Sequence, residues 1–131
     1  MDLLKKYMDE ISKDLIIDDF NIKEAQMRLP ARKHFWVARL VDAKINISKL
    51  QQKDKELRQI LSRKIVEESP IKLSPQAIDN ILTDQDEIKK IHSQITEYKY
   101  IIEYLEKVEK VMASLHWEIK NVVALMQMEQ T

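Results

Sequence analysis

Apolar residues in the last third of the chain recur with a helical spacing. Ile88, Ile91, Ile95, Tyr98, Ile102 and Leu105 step three-four-three-four-three. Val108 follows after only three, a stammer in the heptad, and Met112, Leu115, Ile119, Val122 and Met126 resume the alternation. A second stripe through Tyr104, Val108, Val111, Leu115, Val122 and Leu125 lies beside the first. The pattern predicts one helix over 84–128 with two adjacent apolar faces. Thr83 or Asp84 offers its cap, and Asp86 and Glu87 suit the positive end of its first turn.

A second long helix is predicted over 31–66. Its seam is Trp36, Leu40, Ala43, Ile47, Leu50, Leu57 and Leu61, with Asp54 at the one seam position that should be apolar. Residues 1–29 read as short helices. The first is amphipathic over 2–13, through Leu3, Leu4, Tyr7 and Ile11; the second is capped by Asp18 or Asp19 and runs through Arg28. Pro30 is expected to interrupt that second helix and to sit near the first turn of the next. Residues 67–83 form a connector in which Pro70 and Pro75 bracket the turn. Ser74 caps a short helix over 75–82, with Pro75 at its first position. The expectation is a single all-α domain.

Length adds a constraint. A helix from 84 to 126 is about 65 Å long. A compact domain of 131 residues measures only about 36 Å across, from a gyration radius near 14 Å. The helix overhangs such a domain, so its stripes need cover from the second long helix, from other subunits, or from both. A closed homo-oligomer is expected, joined through Ile102, Leu105, Met112, Leu115, Ile119 and Val122.

Composition removes most enzyme chemistry. The chain has no glycine, so the usual phosphate loops and nucleophile elbows are unavailable. It has no cysteine, which removes disulfides, cysteine-zinc sites and thiol catalysis and suits a cytosolic chain. His34, His92 and His116 fit no metal-ligand spacing. The adjacent acids Asp18/Asp19 and Glu67/Glu68 read as caps and connectors. His116 beside Trp117 reads as a packing or surface pair. No catalytic residue, metal or cofactor is expected. The short apolar stretches, interrupted by charge, predict no membrane span, and 1–13 lacks the apolar core of a secretion signal.

Charge sharpens the picture. The formal net charge is +0, yet the stretch from Arg28 to Lys64 holds eleven basic and three acidic residues, leaving it at +8 and the rest at −8. A basic middle between acidic ends suits a polyanion-binding face; a solvated face paired with acids elsewhere in the fold is the alternative. Lys33, Lys44 and Lys55 recur every eleven residues, so they line up about 16 Å apart on one side of a helix. Within Pro30–Arg39, cations alternate with His34, Phe35 and Trp36. Single-stranded nucleic acid is commonly held by such mixtures of cations and rings. Trp36 falls on the seam and reads as core, whereas Phe35 is open to either role. The candidate DNA contacts are Arg32, Lys33, Arg39, Lys44, Lys53, Lys55, Arg58, Arg63 and Lys64. The later ones have no aromatic neighbours and suit phosphate contact without base reading.

Over nearly its whole length the sequence resembles the UvsY-type recombination mediators of T-even bacteriophages. The resemblance lies in Ser12–Asp19 (SKDLIIDD), the basic middle helix, the Asp84-Gln85-Asp86 opening and the stretch from Tyr98 to Gln130. It implies a non-enzymatic accessory protein of the infected host's cytoplasm. Such proteins bind single-stranded DNA and a RecA-like recombinase, and help the recombinase displace single-strand-binding protein. They form closed rings in which the C-terminal helix is important. A Leu-basic-x-basic-Leu element of that family has its nearest match in Leu61-Ser62-Arg63-Lys64-Ile65, where the bases are adjacent instead of separated. The aromatic, glycine-containing stretch that often follows is replaced by Val66–Pro70. The alternative reading is a coiled-coil adaptor or chaperone-like protein without a DNA role.

Overall fold

The computed structural model describes residues 2–18 and 20–130. The chain is all-α: α1 (Asp2–Asp14), α2 (Ile22–Glu68), α3 (Pro75–Asp84) and α4 (Asp86–Gln130). Two compact units share the long helices. One comprises 1–43 and 100–131, so α1 packs with the first part of α2 and the last part of α4. The other, 44–99, combines the rest of α2, α3 and the start of α4.

The expected break at Pro30 does not occur. Instead of a short helix ending at Arg28 and a new one beginning at Ala31, α2 runs unbroken with Pro30 inside it. The reason lies in the spacing of Ile22, Leu29, Trp36 and Ala43, which recur every seven residues and are all buried. An interior proline costs about 3 kcal/mol. Pro30 is exposed, as is Gln26, whose carbonyl loses its partner, so water can satisfy that oxygen. Burying Ile22, Leu29 and Trp36, with Ala43 on the same line, outweighs the loss.

The caps follow local chemistry. The Asp18 carboxylate accepts from the backbone N–H of Phe20 (2.9 Å) and Asn21 (3.0 Å), while the Asn21 side chain accepts from the Asp18 N–H at 2.8 Å. The residue at the cap is Asn21, whose carbonyl takes the first bond of α2 from Ala25, so Asp18 closes the turn before the helix instead of capping it. Asp19, the other expected cap, lies outside the described residues. Ser74 caps α3 through its hydroxyl, which accepts from the Ala77 N–H at 3.1 Å, and Pro75 opens the helix. Thr83 and Asp84 do not cap α4, because both belong to α3. Thr83 donates its hydroxyl back to the Asp79 carbonyl, and the Gln85 carbonyl takes the first bond of α4 from Lys89.

The stammer of α4 is also displaced. The structure buries Ile101 at 1% exposure and leaves Ile102 half-buried, so two consecutive three-residue steps run Ile95, Tyr98, Ile101. From Ile101 the four-three alternation continues through Leu105, Val108, Met112, Leu115 and Ile119, all buried. Adjacent isoleucines stand 100° apart on a helix, and only the packing partner chooses between them.

In the first unit the α1–α2 contact closes on one carboxylate. Asp14 accepts from Arg32 Nε (3.0 Å to each oxygen), Arg32 Nη2 (2.9 Å) and Trp36 Nε1 (2.8 Å). Trp36 is 1% exposed, so its indole N–H has no access to water and needs this acceptor. Replacing Asp14 by alanine should lower stability by about 2 kcal/mol, since a charged acceptor is lost and a buried donor is orphaned. Urea titration checks this, with the exposed Arg28→Ala as a control expected to stay within about 0.5 kcal/mol.

Candidate nucleic-acid interface

The basic residues of α2 divide into arginines held by carboxylates and cations, mostly lysines, left in solvent. In the first unit, Arg32 is held by Asp14, and Arg39 reaches Glu10 at 2.6 Å. Both guanidinium groups lie over the Phe35 ring, at 4.2 and 4.1 Å from its centroid, and Arg39 also lies over Tyr7 and Trp36. Tyr7 and Phe35 each meet Trp36 edge-on. The alternation of bases and rings in Pro30–Arg39 therefore builds a clasp between α1 and α2, and Phe35 and Trp36 are engaged within it.

Arg58 is engaged likewise in the second unit. Its Nε donates to both oxygens of Asp54 at 3.2 and 3.1 Å, and its Nη1 lies 3.8 Å from Asp79 of α3. This accounts for Asp54 at an apolar seam position: the half-buried pair ties α2 to α3. No sequence signal singled out Asp79 as the third member.

The remaining candidates stand apart. Lys53, Lys55, Arg63 and Lys64 are exposed, as is Lys49, and none of the five has an ion-pair partner among the described residues. Lys44 is exposed but engaged, and Lys33 is half-buried. At 100° per residue, Lys49, Lys53 and Lys64 fall within about 60° of one another around α2, with Arg63 about 40° beyond Lys49 and Lys55 farther round on that same side, about 180° from Lys64. Lys49 to Lys64 covers about 22 Å of helix. Lys53 also borders an open groove of about 420 Å³, floored by Leu57, Ile60 and Ile91, with Glu56, Glu87, Lys90 and Gln94 around it.

The residues expected to join subunits have mixed positions. Leu105, Met112, Leu115 and Ile119 are at most 4% exposed and belong to the chain's own core; Ile102 and Val122 are half-buried. Of the second stripe, Val108 and Leu115 are buried with the first, Tyr104 and Val122 are half-buried, and Val111 and Leu125 are exposed; Tyr100, on the same side one turn before Tyr104, is exposed too. Partial burial of Tyr104 raises its phenol above the ordinary 10.0. No described helix is long and apolar enough to cross a membrane, and no cluster of three metal-ligating side chains occurs among the described residues.

No protein-family model matches the sequence, and no curated protein matches it either. Solved structures do match the fold. A crystal structure of the bacteriophage T4 recombination mediator protein UvsY (lattice type IV) superposes with a TM-score of 0.83, covering 96% of this chain and 98% of that one at 12% identity. A second crystal form (lattice type II) gives 0.80 over 98% of each chain, again at 12% identity. The resemblance expected from sequence is thus present in the fold.

Two outcomes follow for stability. Arg39→Ala should destabilise the fold by about 1–2 kcal/mol, through the loss of a charged hydrogen bond and cation–π contacts, whereas Lys53→Ala should stay within about 0.5 kcal/mol; thermal melts compare them. Because the folded state disfavours the Tyr104 phenolate, stability is intact below pH 10 and should fall as pH rises through the unfolded and then the folded phenol pKa. Tyr104→Phe should flatten that decline in alkaline melts.

Proposed function

We propose that this chain is a recombination mediator: it binds single-stranded DNA, assembles with copies of itself, and helps load a RecA-like recombinase in place of single-strand-binding protein. Its setting is the cytoplasm of a phage-infected bacterium. It acts as a non-enzymatic accessory. The observation that carries the reading is the group of unpaired cations on the second half of α2, with Lys49, Lys53 and Lys64 on one side of it, in a chain with the UvsY fold.

Lys49, Lys53, Lys55, Arg63 and Lys64 contact phosphate in this reading. A lysine ammonium on a flexible stem follows an irregular backbone without demanding a base sequence. Arg32, Arg39 and Arg58 support the helices that present these residues, and Lys33 and Lys44 flank them. Self-association uses the second stripe of α4, with Val111, Val122 and Leu125 at its centre. Leu105, Met112, Leu115 and Ile119 shape that helix from the inside.

Binding should be weakly sequence-selective and should weaken steeply with salt. The slope of log affinity against log salt is expected to become shallower by about 0.7 for each phosphate contact removed. The double variant Arg63→Ala/Lys64→Ala should bind a thymidine oligonucleotide more weakly with a reduced slope, while its mass and melting temperature stay those of the parent. Affinity independent of salt, or loss of the assembly before loss of binding, would overturn the phosphate-contact reading. Absence of any oligonucleotide binding by the parent chain would leave the adaptor reading in its place.

Sedimentation separates the two stripes. Leu125→Glu should yield smaller species that keep full helicity, whereas Leu105→Glu should unfold the chain, because it buries a charge among apolar side chains.

A further inference from the structure

The last turns of α4 carry an aromatic side chain that the core does not use. Trp117 is 60% exposed, against 1% for Trp36. A tryptophan ring standing in water gives up much of the apolar burial that makes it worth placing in a protein. Two lysines share its face of the helix, with exposed Glu118 a flank away. The Lys120 ammonium lies 5.1 Å from the ring centroid, and His116 meets the ring edge-on at 5.5 Å. One and two turns back on the same side of the helix stand Ala113 and Lys110, both exposed; ahead stand Asn121 and Ala124. No acid occupies this face between Lys110 and Ala124. The Lys120 ammonium lies over the ring, the small neighbours leave the indole 60% exposed, and the two lysines lie on either side of it along the helix.

A flat, largely exposed ring with lysines before and after it on the same helix face matches the demands of one ligand. A nucleobase offers a π-face to the indole, and its backbone phosphates offer charge to Lys110 and Lys120. We infer that Trp117 is a base-stacking contact for single-stranded nucleic acid, separate from the phosphate-binding lysines of α2. The inference rests on the nucleic-acid reading above, and adds to it a contact that salt does not screen.

The two kinds of contact respond differently to conditions. Losing a phosphate contact lowers affinity most at low salt and flattens the salt slope. Losing a stacking contact lowers affinity by the same factor at every salt concentration. Trp117→Ala should therefore weaken binding of a thymidine oligonucleotide by about five- to 150-fold at both 50 and 200 mM salt, with an unchanged slope. Trp117→Phe should recover part of the loss.

Fluorescence reads the same contact directly. The difference in emission between the parent and Trp117→Phe reports Trp117, since Trp36 is enclosed. The inference expects this emission to be open to acrylamide in the assembled protein and quenched as oligonucleotide is added, in step with binding followed by anisotropy of a labelled strand. Binding by anisotropy with no quenching at Trp117, and an unchanged affinity in Trp117→Ala, would overturn the stacking contact and leave the nucleic-acid reading standing. No binding by anisotropy would remove both. Acrylamide protection of Trp117 before any oligonucleotide is added, together with a changed mass for Trp117→Ala, would also overturn it, and would assign this face to contact between copies of the chain.

Discussion

A seven-residue repeat of buried apolar side chains governs this molecule. Ile22, Leu29, Trp36 and Ala43 recur at that interval along α2 and are buried without exception. Keeping all four on one line requires the helix to continue through Pro30, and it does. The N-terminal helix depends on the same line, because Asp14 is placed by the Arg32 guanidinium and by the Trp36 indole, itself a member of the repeat. In the second unit the repeat continues through Leu50 and Leu57, half-buried, while Asp54 and Arg58 replace apolar packing with an ion pair to α3.

The basic residues separate by chemical type. The three arginines on which the helix contacts turn (Arg32, Arg39 and Arg58) each meet a carboxylate in a part-buried setting. A planar fork of donors suits that role, since it satisfies two oxygens and stacks on rings at once. The lysines of the second half of α2 remain in solvent, where a strongly hydrated ammonium costs nothing to leave unpaired. The +8 of the middle segment thus overstates the charge free to meet a polyanion, and the share that is free is concentrated on one stretch of one helix.

A long helix with two apolar stripes offers two surfaces of unequal depth. The inner stripe, from Ile101 to Ile119, is used inside the chain. The outer one leaves Val111 and Leu125 exposed and Tyr104 half-buried. In the proposed assembly the first stripe makes the subunit and the second joins subunits, so folding and association draw on different side chains of the same element.

The all-α architecture, the two long helices, the Ser74-Pro75 cap and the seams of α2 and α4 were legible in the sequence, because each follows from local chemistry or from a period of three and four residues. The clustering of positive charge on α2 was legible for the same reason. Tertiary structure decided the rest. Pro30 reads locally as a stop, and only the burial of residues on both sides of it shows otherwise. Ile101 and Ile102 are equivalent in a periodic pattern, and the packing against α4 buries the first. Arg32 and Arg39 look like solvent-facing cations until Asp14 and Glu10 of α1 meet them. Leu105, Met112, Leu115 and Ile119 look available to other subunits until the chain's own core covers them. In each case the sequence supplied an apolar or charged group, and a partner distant in sequence determined whether it was used within the subunit or left on its surface.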